Sequence, residues 1–105
     1  MNEELVVRTS KDSKLTVVSI SGEADIYTSG KLESELIKAI SDNEGNVRID
    51  CHDLSYIDST GLGVFASILK KNKEQGSEIV LVGLKNNIRK LFNITGLDKL
   101  FVIEE

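Results

Sequence analysis

The chain has no proline, one cysteine and one histidine, and aromatic residues make up only 5 % of it. A lone cysteine, Cys51, excludes a disulfide within the chain. With only His52 beside it, no Cys/His metal cluster can be assembled. A Ser–His or Cys–His catalytic set could draw only on His52, so the means for autonomous catalysis are thin and no cofactor or metal is called for. No apolar run approaches the ~20 residues of a membrane span. The opening Met-Asn-Glu-Glu lacks the apolar core of a secretory signal. Both features predict a cytoplasmic protein. With neither proline nor low-complexity tracts there is no linker composition, and residues 1–105 are expected to form a single domain. Thirteen Lys and Arg against 17 Asp and Glu leave a net charge of −4. That balance argues against a surface selected to bind nucleic acid or an anionic membrane.

What is present is a globular composition, 40 % hydrophobic and 29 % charged. A chain of this size can bury about 65 % of its unfolded surface, enough for a core without staples. The run at Leu5 to Val7, the polar turn at Lys11 to Lys14 and the Val/Ile-rich run Leu15 to Ile20 predict a hairpin ending at Ser21-Gly22. Leu32, Leu36, Ile37 and Ile40 fall on one helical face between Lys31 and Ser41, and residues 42–46 close that helix. Val47, Ile49 and Cys51 alternate with Arg48, Asp50 and His52, which is the period of a strand. Leu62, Phe65, Ala66 and Leu69 mark a second helix, with Lys70, Lys71 and Lys73 near its end and a stop at Gly76. A buried strand at Ile79 to Val82, a short helix around Ile88 to Phe92 and a last strand at Phe101 to Ile103 follow. The expected fold class is α/β: one small mixed sheet of about five strands, in the order β-β-α-β-α-β-α-β, with helices mainly on one face.

The densest signal is residues 53–63, Asp-Leu-Ser-Tyr-Ile-Asp-Ser-Thr-Gly-Leu-Gly. It is expected as a loop between a strand and a helix, where open α/β sheets place their working residues. Asp58, Ser59 and Thr60 are all good helix caps. Gly61 and Gly63 count against a purely structural role and are read as bare backbone that another molecule could approach. The P-loop pattern fails because Val64 follows Gly63, and the nucleophile elbow fails because Ile57 precedes Ser59 by two. A metal site from Asp25, Asp53 and Asp58 is conceivable on charge alone. Cys51 reads as a small core residue, and His52 as a strand-end residue rather than a base.

Residues 22–28, Gly-Glu-Ala-Asp-Ile-Tyr-Thr, and residues 53–63 together resemble the STAS domain of bacterial anti-sigma factor antagonists, and the likeness extends over nearly the whole chain. It departs from the family at Ala24, often Leu there, and at Ser29-Gly30, where Pro is often found. The resemblance implies a small mixed sheet with helices against one side. It implies that Ser59 is phosphorylated by an anti-sigma factor that is itself a serine kinase. The unphosphorylated form would bind that kinase and release its sigma factor, phosphorylation would block binding, and a PP2C-type phosphatase would remove the phosphate. Asp25, Asp58, Thr60, Gly61 and Gly63 are then the environment of the phosphosite. Ile26, Tyr27, Tyr56, Ile57, Ser59 and Leu62 are the candidate partner surface. The free protein is expected to be a monomer that touches neither nucleic acid nor membrane and is not an enzyme. The alternative is a STAS module of another signalling scaffold or of a transporter-associated complex. A small nucleotide-binding protein ranks third, since neither a Lys in a Gly-rich loop nor a placed base is visible.

Overall fold

The computed structural model describes residues 4–12, 14–41, 46–75 and 78–105. Ser13 of the expected turn, residues 42–45 expected to close the first helix, the Lys73 side chain and the Gly76 stop lie outside the described residues.

Strands β1 (Val6–Lys11) and β2 (Leu15–Ala24) form the hairpin, its turn closed by the Asp12 N–H on the Leu15 carbonyl at 2.8 Å. Helix α1 (Ser29–Ser41), β3 (Asn46–Ile57), α2 (Ser59–Gln75), β4 (Ile79–Val82), α3 (Asn86–Ile94), a 3-10 turn (Leu97–Lys99) and β5 (Val102–Glu104) complete the chain. The strands stand in chain order, β1-β2-β3-β4-β5. β1 is antiparallel to β2 and every other pair is parallel. The fold is therefore α/β with one mixed five-stranded sheet, as the element order predicts.

Register explains why the helices share a face. Val18, Ile49, Leu81 and Ile103 lie side by side across the strands. The first three are fully buried and join Leu36 of α1, Phe65 of α2 and Phe92 of α3 in one cluster. Their neighbours Val17, Arg48 and Val102 point to the other, wetter side. The chain's three phenylalanines all meet in this core. The Phe65 ring lies 5.5 Å from that of Phe92 and 6.3 Å from that of Phe101, edge to face in both cases. Phe101 thus serves the core just before β5 rather than within it.

Two strands run further than alternation predicts. β2 continues through Gly22 to Ala24, and β3 continues to Ile57, so residues 53–57 are strand rather than loop. The cause is in the pairing. Ser19 faces Asp50 but Ser21 faces Asp53, and Gly22 faces Leu54 but Glu23 faces Tyr56. Each step inserts one extra residue into β3, a bulge. Past Cys51 the buried positions are therefore Leu54 and Ile57, spaced by three, and the period of two disappears. Gly22 keeps its place in a strand interior because the chain ahead of β1 crosses it there. Its φ is +102°, and a Cβ would overlap the Glu4 carbonyl oxygen. Among the described residues no helix is long and apolar enough to cross a membrane.

Cys51 is buried in the core, as its position on β3 predicts. Burial, and secondarily the Asp50 carboxylate, push its thiol up to about 12. A raised folded pKa favours the neutral thiol. Its contribution to stability is therefore intact below the usual thiol range of about 8.5 and declines as pH rises towards the folded value. The native protein is expected to react with a thiol-specific reagent at pH 8 orders of magnitude more slowly than in denaturant. Fast labelling of the native state would place Cys51 at the surface.

Candidate functional site

The site begins where two parallel strands stop together. Ala24 pairs with Ile57 at the ends of β2 and β3, so the chain leaves the sheet side by side at Asp25 and Asp58. The Asp58 N–H donates to the Ala24 carbonyl at 3.1 Å and carries the pairing one step further.

Each aspartate closes its own connection. The Asp25 Oδ1 accepts the backbone N–H of Tyr27 at 2.9 Å and of Thr28 at 3.1 Å. The Thr28 hydroxyl accepts the Asp25 N–H at 2.9 Å and donates to the Glu23 carbonyl at 2.7 Å. This is the self-bonding turn that an Asp three residues before a Thr can make. Thr28 was not singled out from the sequence, and that spacing was the available signal. The Asp58 Oδ1 accepts the N–H of Thr60 at 2.9 Å and of Gly61 at 3.0 Å. Of the three cap-type residues it is Asp58 that caps α2. Its other oxygen, Oδ2, accepts the Ile26 N–H at 3.2 Å, joining the two connections.

Ser59 is the first residue of α2 and is exposed. No hydrogen bond engages its hydroxyl among the described residues. Thr60 beside it is also exposed. Gly61 and Gly63 divide. A Cβ on Gly61 would stand 2.6 Å from the Ala24 carbonyl oxygen and 2.8 Å from Ile57 Cγ1, whereas one on Gly63 would meet nothing within 4 Å. The bareness of Gly61 thus lets α2 close onto the strand ends and offers nothing to an outside molecule. Only Gly63 leaves backbone open.

Three apolar side chains are exposed at this end of the sheet: Ile26 and Tyr27, just after β2, at 65 % and 85 % of their free areas, and Tyr56, near the end of β3, at 47 %. Leu62 is half-buried against the core. Ile57 does not belong to this surface. It is only 4 % exposed, because the second bulge of β3 turns it inward. Asp53 faces Ser19, Ser21 and Arg8 on the helix-free side of the sheet, away from Asp25 and Asp58. Among the described residues no three His, Cys, Asp or Glu are grouped to hold a metal ion. His52 Nδ1 sits 2.5 Å from Asp50 Oδ1, and the ring lies over Gly83 at the end of β4. The His52 N–H is the main cause holding the Asp50 carboxyl below its ordinary pKa. Among the described residues His52 hydrogen-bonds Asp50 and not Ser59. The site therefore presents an exposed hydroxyl on a helix start capped by Asp58, at the sheet end where Ile26, Tyr27 and Tyr56 are also exposed.

Comparison with known proteins places this geometry in a group. The sequence model for the STAS domain matches residues 6–105. The chain is 35 % identical to the anti-sigma-B factor antagonist of Staphylococcus aureus over 101 residues, covering 96 % of this chain and 94 % of that one. It is 38 % identical to the anti-sigma-B factor antagonist of Listeria monocytogenes over 105 residues, covering 99 % and 90 %. The fold is similar to the anti-sigma factor antagonist SpoIIAA in its unphosphorylated form, with a TM-score of 0.74 at 16 % identity over 95 % of this chain and 88 % of that one. It is likewise similar to phosphorylated Bacillus SpoIIAA, with a TM-score of 0.72 at 18 % identity over 93 % and 90 %.

The hydrogen bonds assign different costs to neighbouring residues. Asp58→Ala removes the cap and is expected to lower stability by about 0.5–2 kcal/mol. Ser59→Ala removes a hydroxyl with no hydrogen bond among the described residues and is expected to stay within about 0.5 kcal/mol of the parent. Urea unfolding midpoints at constant m-value measure both. A larger loss for Ser59→Ala than for Asp58→Ala would reassign the cap.

Proposed function

The chain belongs to the STAS domain family, and from that premise we propose that it is an anti-sigma factor antagonist switched by phosphorylation of Ser59. Unphosphorylated, it binds an anti-sigma factor and frees the sigma factor. Phosphorylated, it does not bind. The observation that carries this reading is the Ser59 hydroxyl, exposed at the start of α2 and unengaged among the described residues, at the sheet end where Ile26, Tyr27 and Tyr56 are exposed. The names of the Staphylococcus and Listeria relatives, and the existence of SpoIIAA in both phosphorylation states, support it.

The physics of the switch is local. A phosphate on Ser59 adds roughly −1.5 to −2 charge at a helix N-terminus, where the helix dipole favours it while the Asp58 carboxylate keeps the first N–H groups. The domain keeps its fold. An interface closing over Ile26, Tyr27 and Tyr56 must then bury or repel that charge, at a cost of several kcal/mol. Each ~1.4 kcal/mol is tenfold in affinity, so binding is switched off without any movement. The phosphoryl group comes from the anti-sigma factor acting as a serine kinase, and a PP2C-type phosphatase removes it. With no base at Ser59, the chain is a substrate and ligand of these enzymes and not an enzyme itself. It works in the cytoplasm as a single-domain monomer, with Asp58 positioning the Ser59 segment and Asp25 the neighbouring Tyr27-Thr28 turn through backbone bonds.

Three variants test this. Ser59→Ala is expected to bind the anti-sigma factor and resist phosphorylation. Ser59→Asp is expected to fold normally and bind at least tenfold more weakly, a loss of about 1.4 kcal/mol or more. Equal binding by the two would sink the electrostatic switch. Incubation with ATP alone is expected to leave the protein unmodified, with phosphate appearing on Ser59 only after the kinase is added. Tyr27→Ala, at an 85 % exposed position, is expected to weaken binding by at least tenfold, about 1.4 kcal/mol, with an unchanged melting temperature. A Ser59→Ala bait in the native host is expected to recover a small ATP-binding kinase that also holds a sigma factor. Recovery of a membrane protein in its place would favour a transporter-associated role.

A further inference from the structure

An exposed glycine inside a helix needs a reason. It loses more backbone freedom on folding than any other residue, so alanine at the same place is the more stable choice. α2 carries two glycines near its start, and the structure separates their reasons. Gly61 is required by packing, because a Cβ there would run into Ala24 and Ile57. Gly63, the fifth residue of α2, has no such requirement. It is exposed, and a Cβ on it would meet nothing within 4 Å. Its backbone asks for no special conformation either, since the positive-φ glycines are Gly22, Gly83 and Gly96. Neither the fold nor its stability accounts for glycine at this position.

The place of Gly63 relative to Ser59 supplies a reason. It stands four residues further on, one turn along the same helix face, where Cβ positions are about 5–6 Å apart. Helical side chains lean towards the N-terminus, over the turn before their own. The side chains that lean over Ser59 are therefore those of positions 62 and 63. Leu62 is half-buried and packs against the core. Gly63 has no side chain to lean. The exposed Ser59 hydroxyl is open from the α2 side because of what position 63 lacks.

We propose that Gly63 is a specificity-determining residue for phosphorylation of Ser59: the kinase lies flush on the bare backbone of α2 there, and a side chain at this position holds it off. The proposal rests on the reading of Ser59 as the phosphoacceptor and names what that reading leaves open, the side from which the hydroxyl is approached. In the transfer the Ser59 Oγ–P bond forms as the bond from the γ-phosphorus of ATP to its β–γ bridging oxygen breaks. ADP leaves, and the hydroxyl proton passes to a base of the kinase. The reacting atoms must first come within about 3–3.5 Å, and a misplacement of about 1 Å can cost a hundredfold in rate. A side chain leaning over Ser59 causes such a misplacement. Gly63 thus acts through space left empty, whereas a negative charge at Ser59 acts through repulsion.

The test compares the full chain with Gly63→Ala and Gly63→Leu, using the kinase recovered by the Ser59→Ala bait. Three quantities are measured: the melting temperature, the dissociation constant for the kinase with ADP, and kcat/KM for phosphorylation of Ser59 with ATP. Gly63→Ala is expected to melt about 2–6 °C higher than the parent, as a helix relieved of a glycine should. Its kcat/KM is expected to fall several-fold, and that of Gly63→Leu about a hundredfold, with weaker binding in the same order. Lys71→Leu, which adds an apolar side chain at an exposed position near the other end of α2, is expected to keep the parent rate and affinity. Stability and phosphorylation then move in opposite directions, which a structural role for Gly63 would not produce. The proposal is overturned if both variants are bound and phosphorylated like the parent, if both melt well below it, or if Lys71→Leu is impaired as much. Parent-like variants together with weak binding by Ser59→Asp would remove the role of Gly63 and leave the switch standing. A parent that the kinase does not phosphorylate, or a bait that recovers none, would remove both.

Discussion

One carboxylate holds the candidate site together. Asp58 uses one oxygen to satisfy the first free N–H groups of α2 and the other to take the Ile26 N–H from the neighbouring connection. Charge-assisted bonds to backbone amides are stronger than neutral ones, and here they act at the point where β2 and β3 both end. That side chain ties the helix start that carries Ser59 to the backbone of Ile26, while Asp25 holds the neighbouring Tyr27 amide. Gly61 completes the arrangement by letting the first turn of α2 close onto Ala24 and Ile57.

Much of this was legible in the sequence, and the limits have physical causes. Helical spacing marks α1, α2 and α3 because each buries one stripe, and alternation marks the first half of β3 because its two faces differ in wetness. The second half of β3 is illegible in that code. Two bulges reset its period, so strand residues 53–57 imitate a loop. The same bulges decide Ile57, which composition would place at an interface and geometry places in the core. Gly61 and Gly63 look alike in sequence. Only the position of Ala24, distant in the chain, tells packing from exposure. The motif around Ser59 stood out because its residue types are local, whereas the bond from Ile26 to Asp58 spans separate elements and leaves no local mark.

The proposed function asks for a hydroxyl held at a fixed place and a surface whose affinity depends on local charge. The Asp25 and Asp58 carboxylates serve the shape of this end of the sheet, since both accept backbone amides.

The unequal lengths of β3 and β4 have a consequence for access. β4 pairs with β3 only as far as Asp50, opposite Val82, while β3 runs on to Ile57 beside β2 alone. The two strands and the tip of α2 therefore form a promontory beyond the rest of the sheet. Under the proposed function, the partner meets the ends of β2 and β3 ahead of the shorter strand β4. What is read at that tip and what is carried by the shoulder of β4 and β5 are then separate sets of residues, and each can change while the other is kept.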